Sequence, residues 1–318
     1  MNSGSQTVPT LDMSVDLQVK QRLADIGRLV SLPPTTFRLL SLLMSEKTSA
    51  RELQGVLEQD PGLAAKVISL SNSAMYAVRD SISTIDRAIT IIGFKELEII
   101  ALGIGLTETF DLKKVPPGFD GRGLWLHCLA VSWIARELVL ALWPRQTQEA
   151  SEAMIGGLLH ELGIIILIAK FPVHFQQLLD LVNSGQDLRQ AEETLGLRHE
   201  VVGCLLAKNW DLPQVFQDVI LYHHVPQAAK KSQRAVALIT LADNLAFRTG
   251  YGVSIENVQI DLPYILNVLD LSVDRLQDLV KKILTSITKV QPLWDQVMNG
   301  KSRRQEENST SLSSLLKK

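Results

Sequence analysis

Six histidines occur in the 318 residues, and all of them lie beyond residue 126. His127 sits in LWLHCLA, His160 precedes Glu161 in GLLHELGII, His199 opens HEVVG, His223 and His224 form the pair in LYHHVP, and Asp243 lies in TLADNLA. Imidazole nitrogens and carboxylate oxygens suit iron, manganese and zinc, and such ligands converge on an ion from separate elements of a fold. Each segment is embedded in apolar residues, which places it in a bundle interior where a polar group needs a partner. Asp243 falls on the apolar face of Val236, Ile239 and Phe247, where an unpaired carboxylate would be costly. A set of neutral core histidines sharing hydrogen bonds would satisfy the same pattern, so both readings stand on the residues alone. His174, in FPVHF, fits no part of the pattern and reads as structural.

The elements that must position these residues are helices. Apolar residues recur at helical spacing almost throughout and no convincing strand alternation is present, so the expected fold is all-α, a multi-helix bundle. Phe37, Leu40 and Met44 are spaced as a helix after Pro33-Pro34. SARE, with Ser49 and Glu52, has the capping-box pattern ahead of Leu53, Val56 and Leu57. Asp60-Pro61 starts a further helix carrying Leu63, Val67 and Leu70, and another follows from Ser83 with Ile85, Ile89 and Ile92. VPPGFDGRG, Val115 to Gly123, cannot continue a helix and marks the best internal boundary. The division expected is a flexible start over 1–14, an amino-terminal helical part over 15–115, a second helical part over 116–295 and a disordered tail over 296–318.

With 46% hydrophobic residues the chain can bury a large core, and a net charge of -2 advertises neither nucleic acid nor an anionic membrane. The second helix of the only helix-turn-helix-like stretch carries one basic residue, Lys66, so DNA reading is not expected. The apolar windows Ile99 to Leu106 and Leu158 to Ala169 are shorter than the ~20 residues of a membrane span. The start of the chain does not look like a secretory signal, and two buried-looking cysteines, Cys128 and Cys204, suit a reducing compartment; the expected address is the cytoplasm. Ser71-Asn72-Ser73 reads as a helix stop, the tryptophans as core, and Lys113-Lys114 and Arg303-Arg304 as solvated surface.

SLPPTTFRLL, DPGLAAKVISLSNSAMY, ISTIDRAITIIGFKELEIIALG, GLLHELG, HEVVGCLLAKNWDLP, YHH and LADNLA resemble, in that order, the HDOD branch of the HD superfamily of metal-dependent phosphohydrolases, over roughly Leu29 to Leu245. The resemblance implies an amino-terminal helical module packed on an HD-like helical domain. It also implies that His127, His160, Glu161, His199, His223, His224 and Asp243 stand where the superfamily places metal ligands, for a divalent iron, manganese or zinc. Three departures weigh against chemistry. Glu161 replaces the eponymous aspartate, Ile164 stands where a phosphate-binding lysine is usual, and Gly250-Tyr251-Gly252 lacks the GYP signature of cyclic-dinucleotide phosphodiesterases. With those departures, the resemblance implies a stand-alone bacterial regulatory protein in signal transduction, with a degenerate metal site, no catalytic residue assigned and a protein partner. The alternatives are a phosphohydrolase acting on a nucleotide or cyclic dinucleotide, in which Glu161 serves as ligand, and a pocket that binds a nucleotide without cleaving it.

Overall fold

The computed structural model describes residues 31–299, apart from 46–47, 74–75, 77, 79–80, 111, 113–114 and 256–258. The start of the chain, the tail from 300 and the pairs Lys113-Lys114 and Arg303-Arg304 lie outside the described residues. Among the described residues there are helices and turns and no strand.

Local signals set the first helices. Helix α1 (Pro34–Leu43) begins on a proline at its first position and buries Thr36, Leu39, Leu40, Leu42 and Leu43. The stripe expected from Phe37, Leu40 and Met44 is displaced, because Phe37 is 47% exposed. At ~100° per residue the leucine arc lies about a third of a turn from Phe37, and four leucines outweigh one aromatic in setting the roll. Helix α2 (Ala50–Glu58) carries the capping box: Ser49 Oγ accepts from the Glu52 N–H and Glu52 Oε2 from the Ser49 N–H. Asp60 Oδ1 accepts from the Leu63 N–H at 3.0 Å and opens α3 (Pro61–Ser71), which buries Leu63, Val67 and Leu70. Thr84, one residue beyond the expected Ser83, caps α4 (Ile85–Ile92), and α5 (Phe94–Thr109) follows directly.

Asn72 ends α3 and does more than stop it. Its Nδ2 donates to the carbonyls of Ile68 and Ile82, both at 2.8 Å, and its Oδ1 accepts from the Ile82 N–H at 2.7 Å. One amide therefore pairs with both backbone groups of Ile82 and pins the far end of the loop to the helix.

The second half is built on α6 (Gly121–Leu142), whose residues are mostly buried. Helix α7 (Thr147–Leu159) lies against it where Gly157 meets Ser132: a Cβ on Gly157 would sit 2.6 Å from the Ser132 backbone. Helices α8 (Leu162–Lys170), α9 (Pro172–Asn183), α10 (Leu188–Leu195), α11 (His199–Asn209) and α12 (Gln214–Tyr222) follow. Helix α11 crosses α8 at Gly163, where a Cβ would come within 1.8 Å of the His199 carbonyl oxygen. The two glycines of GLLHELG thus set the backbone approaches that bring neighbouring helices together around His160 and Glu161.

Helix α13 (Gln233–Ala246) packs on α6, and at Phe247–Tyr251 the chain widens into a π-type turn containing Gly250 at φ +90°. Val236, Ile239 and Asp243 are buried as expected, but the turn swings Phe247 outward to 36% exposure. After α14 (Leu262–Leu269), the long α15 (Val273–Asn299) lies along α6 and reaches α3, tying the amino-terminal helices to the rest.

Two stretches, Gly121–Leu142 and Thr147–Lys170, are long and apolar enough to cross a membrane by length and composition, which the short windows of the sequence did not suggest. The second spans α7 and α8 because only His160 and Glu161 separate them. Within these windows 67% and 89% of residues are buried inside the protein, so both stretches are core helices.

Candidate metal centre

Helix ends deliver most of the site. His127 lies within α6, His160 and Glu161 fill the two-residue break between α7 and α8, His199 is the first residue of α11, His223 and His224 follow the end of α12, and Asp243 lies near the end of α13. All seven side chains singled out in the sequence come together. His127, His160, Glu161, His223 and Asp243 are 0% exposed, His199 is 1% exposed and His224 is half-buried. His174, on α9, is not among the side chains gathered there.

The backbone fixes which ring nitrogen faces inward. A carbonyl oxygen only accepts, so His127 Nδ1–H donates to Tyr251 O at 2.7 Å, His160 Nδ1–H to Gly157 O at 2.7 Å and His223 Nδ1–H to Ile220 O at 2.9 Å. In their neutral forms these rings present Nε2 lone pairs to the centre. His199 Nδ1 is held by Glu192 Oε1 at 2.7 Å, and the same oxygen accepts the His199 backbone N–H at 2.9 Å. Metal-binding histidines are typically oriented this way, by a carbonyl or carboxylate on the outer nitrogen.

Most of the inward atoms have no such partners. Both oxygens of Glu161, both of Asp243, and Nε2 of His199, His223 and His224 are buried without a hydrogen bond. Glu161 Oε1 is 3.3 Å from His223 Nε2 and 3.6 Å from His160 Nε2, Oε2 is 3.8 Å from His199 Nε2, and Asp243 Oδ1 is 3.4 Å from His127 Nε2. His127 Nε2 and His160 Nε2 face each other at 3.0 Å. Two nitrogens at ~2.1 Å from one ion and at right angles would be about 3.0 Å apart. Orphaned polar atoms converging in a buried interior are what a cation satisfies, so the residues fit a metal. The donors fall into two groups, one of His127 and His160 and one of His199, His223 and His224, and Glu161 belongs to both. A divalent ion there would supply positive charge and cross-link the ends of α7, α11 and α12 to α6.

Burial alone would raise the Glu161 carboxyl, but the surrounding imidazoles, His199 foremost, hold it well below the usual carboxylate range. Burial pulls His199 down, and Glu192, Glu200 and Glu161 outweigh it to raise the ring well above ordinary imidazole. His160 and His224 go the other way, lowered well below the ordinary value by burial and by neighbouring rings. Burial pushes Asp243 up to about 6 against the pull of His127.

Three contributors escaped the sequence reading. Glu192 orients His199; its signal was a glutamate on the buried face of α10 beside Leu188 and Ala191. Glu200 lies 3.6 Å from His199 Nδ1 and is ion-paired with Arg198. Tyr251 acts through its carbonyl, which no side-chain pattern reveals. Ile164, in the position of the missing lysine, is 0% exposed and packs in the core. Among the described residues no lysine or arginine pairs with Glu161 or Asp243.

The family model for the HDOD domain matches residues 29–226. The chain belongs to the HDOD domain family. An HDOD domain protein of unknown function from Geobacter sulfurreducens is 26% identical, with a TM-score of 0.72, the match covering 88% of this chain and 99% of that one. Two further structures share the HDOD fold at 23% identity. One, named for signal transduction, comes from Marinobacter aquaeolei VT8, with a TM-score of 0.72 over 86% of this chain and 61% of that one. The other, named for phosphohydrolase activity, comes from Shewanella amazonensis SB2B, with a TM-score of 0.67 over 86% and 97%. An uncharacterized protein of Treponema pallidum (strain Nichols) is 21% identical over 250 residues, covering 75% of this chain and 47% of that protein. The match thus spans about half the length of that relative. The HDOD fold accounts for the all-α architecture.

Proposed function

We propose that this HDOD protein is a bacterial, cytoplasmic regulatory component of signal transduction that works by contact with a protein partner, and that its histidine-carboxylate centre is a metal staple and not a site of turnover. The observation that carries this reading is the burial of the centre: Glu161 and Asp243, the acids that would hold an ion next to a substrate, are both 0% exposed. A phosphodiester needs an approach to the ion and a cation to take up developing charge. Ile164 supplies an alkyl group in the core, and the guanidinium of Arg198, the residue before His199, is held by Glu200. An ion of iron, manganese or zinc, held by donors drawn from these seven, would stabilise the bundle, since metal-binding energy at such a site is folding energy. Neither DNA nor a membrane is a partner in this reading.

One observation favours a second reading. Glu161 is shared between two donor groups, the arrangement that two-ion hydrolases use to clamp a reacting phosphate. Metal analysis of the purified protein, followed by turnover assays with manganese or iron on cyclic dinucleotides and generic phosphodiesters, decides between them. The staple reading expects bound metal, a lower melting temperature after chelation and no hydrolysis. Metal-dependent hydrolysis that Asp243→Ala abolishes would overturn it.

A further inference from the structure

A cavity with no histidine in its lining lies at the seam where the amino-terminal helices, α6–α7 and α15 meet. It measures about 180 Å3, and its walls include Tyr76, Ile99, Leu129, Trp133, Met154 and Trp294. Three aromatic rings and an alkyl floor leave few polar groups, and Ser132, Trp133 and Glu96 are engaged within the protein. Ser132 Oγ donates to Met154 O at 2.8 Å, Trp133 Nε1–H donates to Ser286 Oγ at 3.1 Å, and Glu96 is ion-paired with Arg136. Burial, with the Glu96 carboxylate adding to it, pushes the Tyr76 hydroxyl up to about 12, so its tip stays neutral.

The geometry points to a binding site for a small neutral aromatic molecule, of the size of one fused bicyclic ring, with at most one hydrogen-bonding group. Size sets the upper bound, since apolar cavities of roughly 150 Å3 hold benzene-sized guests. Chemistry sets the class. An ionised guest would lose its hydration and find no unengaged counter-charge among the described lining residues, whereas a neutral ring finds the π faces of Tyr76, Trp133 and Trp294 and the alkyl groups of Ile99, Leu129 and Met154. The site is independent of any metal and is built from all three parts of the fold, so an occupant touches each of them. One wall continues toward the metal centre: Trp294 meets the Tyr251 ring edge-on at 5.9 Å, and the Tyr251 carbonyl is the acceptor for His127.

Gly103 supplies a way to fill the cavity. It lines the wall, and a Cβ there would meet nothing closer than Leu129 Cδ2, another lining atom, at 3.6 Å, so position 103 admits a side chain beside the space. Calorimetric titration of the full chain with indole, indole-3-carboxylate and tryptamine tests the inference. Indole should bind once per chain, the anion and the cation at least about tenfold more weakly, and Gly103→Leu should lose indole binding by a similar factor. If Gly103→Leu fails to fold, crystals of the unaltered protein soaked in 5-bromoindole answer the same question, with the bromine expected between Trp133 and Trp294. No heat and no rise in melting temperature with millimolar indole, equal affinity for the charged analogues, unimpaired binding by folded Gly103→Leu, or bromine bound elsewhere would each overturn it.

Discussion

Asp243→Asn should stabilise the metal-free protein while destroying its ability to hold metal. In the metal-free fold burial moves Asp243 from its ordinary 3.8 up to about 6, because the charged form has no hydrogen bond and only neighbouring imidazoles, His127 foremost, to favour it. The folded state therefore binds the proton more tightly than the unfolded chain. Stability from this group is fully present below the ordinary value and is lost as the pH rises through about 6. Roughly two pKa units correspond to about 3 kcal/mol at pH 8, and roughly half that difference remains at pH 5. Asparagine keeps the shape without the ionisable group, so the chelator-treated variant should be more stable than the chelator-treated parent by about this amount at pH 8. The order should invert once metal is supplied, because an amide cannot replace the anionic ligand. Denaturant unfolding of both proteins between pH 5 and 8, with chelator and then with metal, measures the two differences. A metal-free variant no more stable than its parent at any pH in that range would refute the reasoning.

Other substitutions probe the supports of the centre. Gly163→Ala places a Cβ 1.8 Å from the His199 carbonyl and should cost at least about 3 kcal/mol in unfolding free energy, whereas Gly156→Ala, with nothing nearer than 3.5 Å, should stay within about 1 kcal/mol of the parent. Glu192→Ala removes the acceptor of both His199 hydrogen bonds and should lower metal affinity by about 10–100-fold in competition with a chromophoric chelator. Glu192→Gln keeps an oxygen acceptor and should fall in between. Asn72→Ala breaks the clamp on Ile82 and should cost about 1–2 kcal/mol, with faster amide exchange at Ile82 by hydrogen-deuterium exchange.

The gathering of the seven side chains was legible because the residues that could do chemistry stood among apolar neighbours at helical spacing, and only a shared interior could receive them all. Helix starts were equally legible at Ser49 and Asp60, where one side chain caps one turn. The roll of α1 was not, because Phe37 and the leucines compete for the same face and the outcome depends on what α5 offers. Phe247 was misplaced for a related reason: periodicity assumes the helix continues, and the turn at 247–251 ends it. Glu192 lies seven residues before His199 with the Gly196 turn between them, so no single-helix spacing links the two. Backbone acceptors such as Tyr251 O carry no side-chain signal at all.

That carbonyl bears on where the unit ends. The matched region stops at residue 226, yet the acceptor that aims His127 and the aspartate opposite it both come from later in the chain. A protein cut at the family boundary would retain every imidazole of the cluster and still be unable to finish it, with one ring free to spin and one anion missing. Excising the HDOD region for study should therefore be done beyond the 247–251 turn, since the closing piece of the centre is supplied from outside the region by which the family is recognised.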